Sequence, residues 1–124
     1  MDKFRILIVE DNGLFRQTPR ESLQKSIPKI AVNEAAEGGE ALQKVDGFLP
    51  DLVFMDIRLP GENGLELTKK IKTTHPDITI FILTDYHTPE YRRTASQCGA
   101  DCFIHKTSFN RVHLQELVRS YYKI

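Results

Sequence analysis

Five short apolar runs separated by segments of helical period limit what this chain can fold into more than any other feature. FRILIV (4–9), IAVNEA (30–35), DLVFMD (51–56), ITIFILT (78–84) and DCFIH (101–105) are short and rich in β-branched and aromatic residues, as strands are. The stretches between and after them, 13–26, 38–47, 63–74, 88–98 and 108–122, fit helices. Asn63 and Ser108 stand where N-caps are expected, and Gly99 where a helix would stop. The runs at 6–9, 52–55 and 78–83 are almost unbroken in apolar character, the pattern of parallel strands covered by helices on both faces. The expectation is five βα units in an α/β, doubly wound sheet, without a linker and as a single domain over 1–124.

Composition narrows the partners. Seventeen Lys plus Arg balance seventeen Asp plus Glu, so the chain lacks the positive field that nucleic-acid and membrane-surface binders use. Direct nucleic-acid binding is not expected. The apolar run in MDKFRILIVED is too short for a signal peptide or a membrane span, which implies a cytoplasmic protein without a membrane anchor. Cys98, Cys102 and His105 form a C-x3-C-x2-H string, but a zinc site normally needs four ligands, and buried free thiols are the simpler reading. The KKIKTTH cluster reads as cations matching the negative end of a helix dipole.

In an open doubly wound sheet, ligands gather beyond the carboxyl ends of the strands. Right-handed crossovers bring all those ends to one edge. Here they deliver Glu10 and Asp11, then Asp56, then Thr84 and Asp85, then His105 and Lys106. Carboxylates a few ångströms apart repel by several kcal/mol at an effective dielectric of about 20, so such a cluster takes up protons or a hard cation. Oxygen ligands with water completing an octahedron describe Mg2+. Three negative charges from Glu10, Asp11 and Asp56 would match Mg2+ and Lys106. A carboxylate between such cations is suited to attack phosphorus, which makes Asp56 a candidate nucleophile.

The strings ILIVEDN, EAAEGGEAL, PDLVFMDIRLPGENGLEL, IFILT and GADCFIHK resemble the CheY-like receiver domain of two-component response regulators over the whole chain. LFR after the acids and GADCFIHK near the end are most similar to receivers of NarL/LuxR-type transcription factors. The resemblance implies a flavodoxin-like, five-stranded parallel sheet of order 2-1-3-4-5 with five helices. It implies Asp56 as phospho-acceptor, Asp11 as a direct Mg2+ ligand, Glu10 acting through water on the metal, and the backbone carbonyl of Arg58 as a further ligand. Thr84 would bind a phosphoryl oxygen, Lys106 would pair with the phosphoryl group or Asp56, and Phe103 would hold the aromatic switch position. The donor would be a phosphohistidine on a sensor histidine kinase or phosphotransfer protein, or a small phosphodonor. Such a domain is a signalling device and promotes its own aspartyl phosphorylation and dephosphorylation. Its output face would be the fourth helix, fifth strand and fifth helix. Partners there would be a DNA-binding output domain, another protein outside this chain, or a second copy in a homodimer.

Four departures stand out. Asp85 follows Thr84 where the family usually has Ala or Gly, so it either crowds the phosphoryl path, with Arg58 opposite, or turns to solvent. Thr107 follows Lys106 where the family usually has Pro, which puts the reach of Lys106 in question. Pro19 falls inside the first helix, where it would lose the bond to the Phe15 carbonyl at a cost of about 3 kcal/mol. Arg58 and Tyr86 sit at rim positions that tune phosphoryl lifetime in the family. The alternative function is a degenerate receiver, of the same fold, acting as a phosphorylation-independent interaction or dimerisation module. A phosphatase or nucleotide binder on the same sheet is disfavoured, because EDNGLF after the first strand carries neither a D-x-D motif nor a Gly-rich phosphate loop.

Overall fold

The strands are β1 (Phe4–Val9), β2 (Ile30–Ala35), β3 (Leu52–Met55), β4 (Thr79–Thr84) and β5 (Cys102–His105) in a computed structural model. The structure describes residues 4–13, 20–21, 23–25, 27, 29–85, 88–106 and 111–122. All strand pairs are parallel, and the order is 2-1-3-4-5, as the sequence implied. Residues 20–21 and 23–25 are helical and belong to a first helix, α1. The others are α2 (Gly38–Phe48), α3 (Gly64–Thr74), α4 (Pro89–Gln97) and α5 (Arg111–Tyr122).

Alternation along the strands divides the core in two. Leu7, Val9, Val53, Met55, Ile80 and Ile82 face α2, α3 and α4, where they meet Val45, Leu67, Ile71 and Ala95. Ile6, Ile8, Leu52, Phe54, Phe81 and Leu83 face the other way, onto Leu23 of α1 and Val118 of α5. Both faces are apolar because both are covered, which explains the unbroken runs in β1, β3 and β4. Each fully buried Leu, Ile or Phe contributes about 1.5–3 kcal/mol, so the centre of the sheet is a stiff platform for whatever its loops carry.

The strands β3, β4 and β5 are shorter than the runs 51–56, 78–84 and 101–105, and two of the trimmed residues show why. Asp51 and Asp101 precede their strands and use their carboxylates as acceptors for a neighbouring strand, from Arg5 N at 2.8 Å and Ile80 N at 2.8 Å. Asp101 also holds Lys72 Nζ at 2.8 Å, which anchors one of the KKIKTTH cations. Asn63 is the N-cap the sequence led us to expect, and Thr88 is the N-cap of α4 and not its first residue: Leu65 N donates to Asn63 Oδ1 at 2.7 Å and Tyr91 N to Thr88 Oγ1 at 3.2 Å. Gly99, at φ +99°, follows the end of α4, which stops at Gln97 and not at 98. The helix α2 runs to Phe48, one residue past 47. His75 pairs with Asp46 at 3.0 Å at the surface. Pro19, Tyr86, Thr107 and Ser108 lie outside the described residues.

Candidate functional site

β1 and β3 are neighbours, with β2 on the far side of β1 and β4 on the far side of β3, so the strand order reverses between them. Val9 lies opposite Met55, which brings Glu10 and Asp56 out of the sheet side by side. Asp56 N still donates to Val9 O at 3.0 Å, and Glu10 N to Ala35 O at 3.0 Å, so both backbones remain fixed by the sheet. Carboxylate oxygens of Glu10, Asp11 and Asp56 lie within 4.8 Å of one another. Glu10 is 4 % and Asp56 7 % exposed, whereas Asp11 is open to solvent.

Lys106 enters this cluster from the end of β5. Its Nζ donates to Glu10 Oε2 at 2.8 Å and to Asp56 Oδ2 at 3.3 Å. The reach that Thr107 put in question is therefore present. Ile57 N donates to Asp56 Oδ1 at 2.7 Å, and Asn12 N donates to Glu10 Oε1 at 3.2 Å. Among the described residues, two buried carboxylates against one ammonium leave excess negative charge, and at 4.8 Å a pair of like charges repels by about 3 kcal/mol at an effective dielectric near 20. The protein answers by proton uptake: burial first, then Asp56, push Glu10 up to about 8 against the opposing pull of Lys106. Burial draws Lys106 down, but its bond to Glu10 and the charges of Asp56 and Glu10 outweigh that and raise it. A divalent cation would satisfy the same excess with oxygen donors, so this donor set fits a hard metal ion.

The remaining expected residues stand around the cluster. Ile82 lies opposite Met55, which puts Thr84, fully buried, at the same edge one residue beyond the level of Asp56. Asp85 is exposed. Arg58 is exposed as well, and its backbone bridges Asn63 across the base of the 58–63 loop. Phe103 is half-buried against the α2–α4 face of the core, with the Arg92 guanidinium of α4 5.0 Å from its ring centroid. Cys98 and Cys102 pack against opposite faces of the sheet and do not converge with His105.

One contributor, Gly64, escaped the sequence reading. Gly64 N donates to Ile57 O at 2.7 Å, and a Cβ on Gly64 would lie 1.8 Å from the Asp56 carbonyl oxygen. Only a glycine lets α3 begin that close behind Asp56, and a glycine as first helical residue after an N-cap was the available signal. His105, collected from the sequence as a strand-end residue without an assigned role, has its Nε2 3.0 Å from the Asp85 carbonyl oxygen.

Residues 6–119 match the family described as the Response regulator receiver domain. The chain belongs to this family. It is similar to the oxygen regulatory protein NreC of Staphylococcus haemolyticus, 37 % identical over 120 residues that cover 96 % of this chain and 55 % of NreC. It is 33 % identical over 114 residues to the transcriptional activator protein ExaE of Pseudomonas putida, covering 92 % of this chain and 53 % of ExaE. Among solved structures, a CheY-like response regulator receiver domain protein from Methanospirillum hungatei JF-1 superposes with a TM-score of 0.90 at 29 % identity, over 99 % of this chain and 95 % of that one. The receiver chain spans about half the length of the curated relatives it matches. Among the described residues no helix is long and apolar enough to cross a membrane.

Proposed function

We propose that this receiver takes a phosphoryl group onto Asp56 and uses it to switch partner binding in a cytoplasmic two-component pathway. The observation that carries the reading is the buried meeting of Asp56, Glu10 and Lys106, two carboxylates against one ammonium among the described residues. Glu10, Asp11, Asp56 and the Arg58 carbonyl would hold Mg2+, which when bound supplies positive charge to the equatorial oxygens of the transferring phosphoryl group. Asp56 forms the new bond to phosphorus, and the electron pair of the broken bond leaves with the donor, a phosphohistidine nitrogen of a sensor kinase or the acyl oxygen of acetyl phosphate. Lys106 keeps its ammonium against the growing phosphoryl charge. The Thr84 hydroxyl donates to a phosphoryl oxygen.

Phosphorylation adds roughly two negative charges, and Thr84 and Lys106 are drawn towards them. Phe103, at the rim beside Arg92, turns into the space that Thr84 leaves, and the face made by α4, β5 and α5 changes shape. Phe103 lacks a hydroxyl, so the output reads its ring position and not an exposed phenol. Arg58, Asp85 and Tyr86 act as rim residues that tune the phosphoryl lifetime. The relatives are about twice as long, and one is a transcriptional activator. That supports an output partner, a DNA-binding domain or a second receiver, acted on through the switched face.

Intact-mass measurement after incubation with acetyl phosphate and Mg2+ tests the proposal. One phosphoryl adduct is expected on the wild type and none on Asp56→Asn. An absence of labelling by acetyl phosphate and by every kinase tried would replace this reading with that of a phosphorylation-independent interaction module.

A further inference from the structure

The last register pair between β4 and β5 is Thr84 opposite His105, after which the ladder ends and the chain leaves for the loop before α4. Asp85, the first residue beyond the ladder, is nevertheless held: its carbonyl oxygen lies 3.0 Å from His105 Nε2. A carbonyl can only accept, so Nε2 carries the proton and donates. His105 shares its sheet face with Phe103, two residues earlier, since Cys102 and Ile104 pack on the opposite face. On this same face Arg92 of α4 lies over the Phe103 ring. The loop and the helix that follow Thr84 are thus tied to β5 at two points.

The tie has a direction. β4 lies between β3, which carries Asp56, and β5, which carries His105. Movement of Thr84 towards a group on Asp56 is movement towards β3, and the imidazole holds the next residue on the β5 side. We propose that His105 is a positioning residue whose hydrogen bond to the Asp85 carbonyl keeps Thr84 at its resting place and so restrains phosphoryl uptake. The consequence for uptake rests on Asp56 being the acceptor, as proposed above; the restraint itself does not.

The test compares His105→Leu, which fills similar space without a donor, with His105→Gln, whose amide can donate to the same carbonyl. Two readouts are taken on the whole chain: amide hydrogen exchange at Thr84 and Asp85 in the unphosphorylated protein, and the rate of labelling by acetyl phosphate with Mg2+. Loss of one net hydrogen bond is expected to speed both by about two- to tenfold in His105→Leu. His105→Gln should restore wild-type behaviour in both. Unchanged exchange in His105→Leu overturns the proposal. So does faster exchange with unchanged or slower labelling, because the bond then does not restrain Thr84. If wild type itself takes no label, the acceptor reading falls, and exchange alone decides the restraint: faster in Leu and restored in Gln supports it, and any other pattern overturns it.

Discussion

At the amino end of the sheet, Asp51 and Asp101 turn carboxylates onto early amides of neighbouring strands, Arg5 N and Ile80 N; at the carboxyl end, Glu10 and Asp56 turn theirs onto each other and Lys106. The residue chemistry is the same, but the electrostatics differ. An aspartate that accepts from a backbone amide loses little by its charge and closes a ladder that would otherwise begin with an unpaired donor. Burial of Glu10 first, and then the Asp56 carboxylate beside it, push Glu10 up to about 8. One end of the sheet stabilises the platform, and the other gathers carboxylates and an ammonium at one buried edge.

The contrast breaks first at Gly64. A Cβ there would sit 1.8 Å from the Asp56 carbonyl oxygen, so Gly64→Ala must push the helix away from the site. We expect a loss of about 3 kcal/mol or more in denaturant unfolding, with labelling of Asp56 impaired in whatever remains folded. A loss under 1 kcal/mol, with normal labelling, would show that the close approach is not needed.

Asp101→Ala comes next. It leaves the fully buried Ile80 without its acceptor and removes the partner of Lys72, for an expected loss of about 1–3 kcal/mol. The more exposed Asp51→Ala should cost less, about 1 kcal/mol. Both variants should label at the wild-type rate when folded. Slowed labelling in either would erase the distinction between the two ends.

The pH dependence of the metal-free protein sharpens the comparison further. Glu10 rises from an ordinary 4.5 to about 8 on folding, so between those values the folded protein holds a proton that the unfolded chain has released. Stability therefore falls as pH rises through that window, with a slope of at most about 1.4 kcal/mol per unit from this group. Lys106, raised above 10.5, adds stability that is lost only at more alkaline pH, outside the window. Thermal melts of Glu10→Gln, or of wild type in saturating Mg2+, should show a flatter profile. An equal slope in Glu10→Gln would mean that the proton sits elsewhere.

The smallest effect is expected at Asp85. Its side chain is exposed, and solvent screens it, so Asp85→Ala should change the labelling rate by less than about threefold. A larger acceleration would identify Asp85 as an obstruction in the phosphoryl path.

Much of this could be read from the chain. Apolar runs and right-handed crossovers point to a doubly wound parallel sheet with Glu10, Asp56, Thr84 and Lys106 at one edge, and the resemblance to receiver domains implies its order. Features that depend on a third dimension were not legible. The clash behind Gly64 involves a backbone eight residues away, met only when α3 folds back on β3. Asp51 and Asp101 look like ordinary turn residues until a neighbouring strand presents its amide. His105 reads as a strand-end polar residue, because its partner is a carbonyl and a carbonyl has no side-chain signature in sequence.

The most direct test of the contrast between the two ends is to trap the label chemically. Borohydride reduction of wild type treated with acetyl phosphate and Mg2+, followed by peptide mapping, should convert position 56 alone to homoserine. Conversion at Asp51 or Asp101, at Asp11, or at no position in protein that carries a phosphoryl adduct would contradict the account.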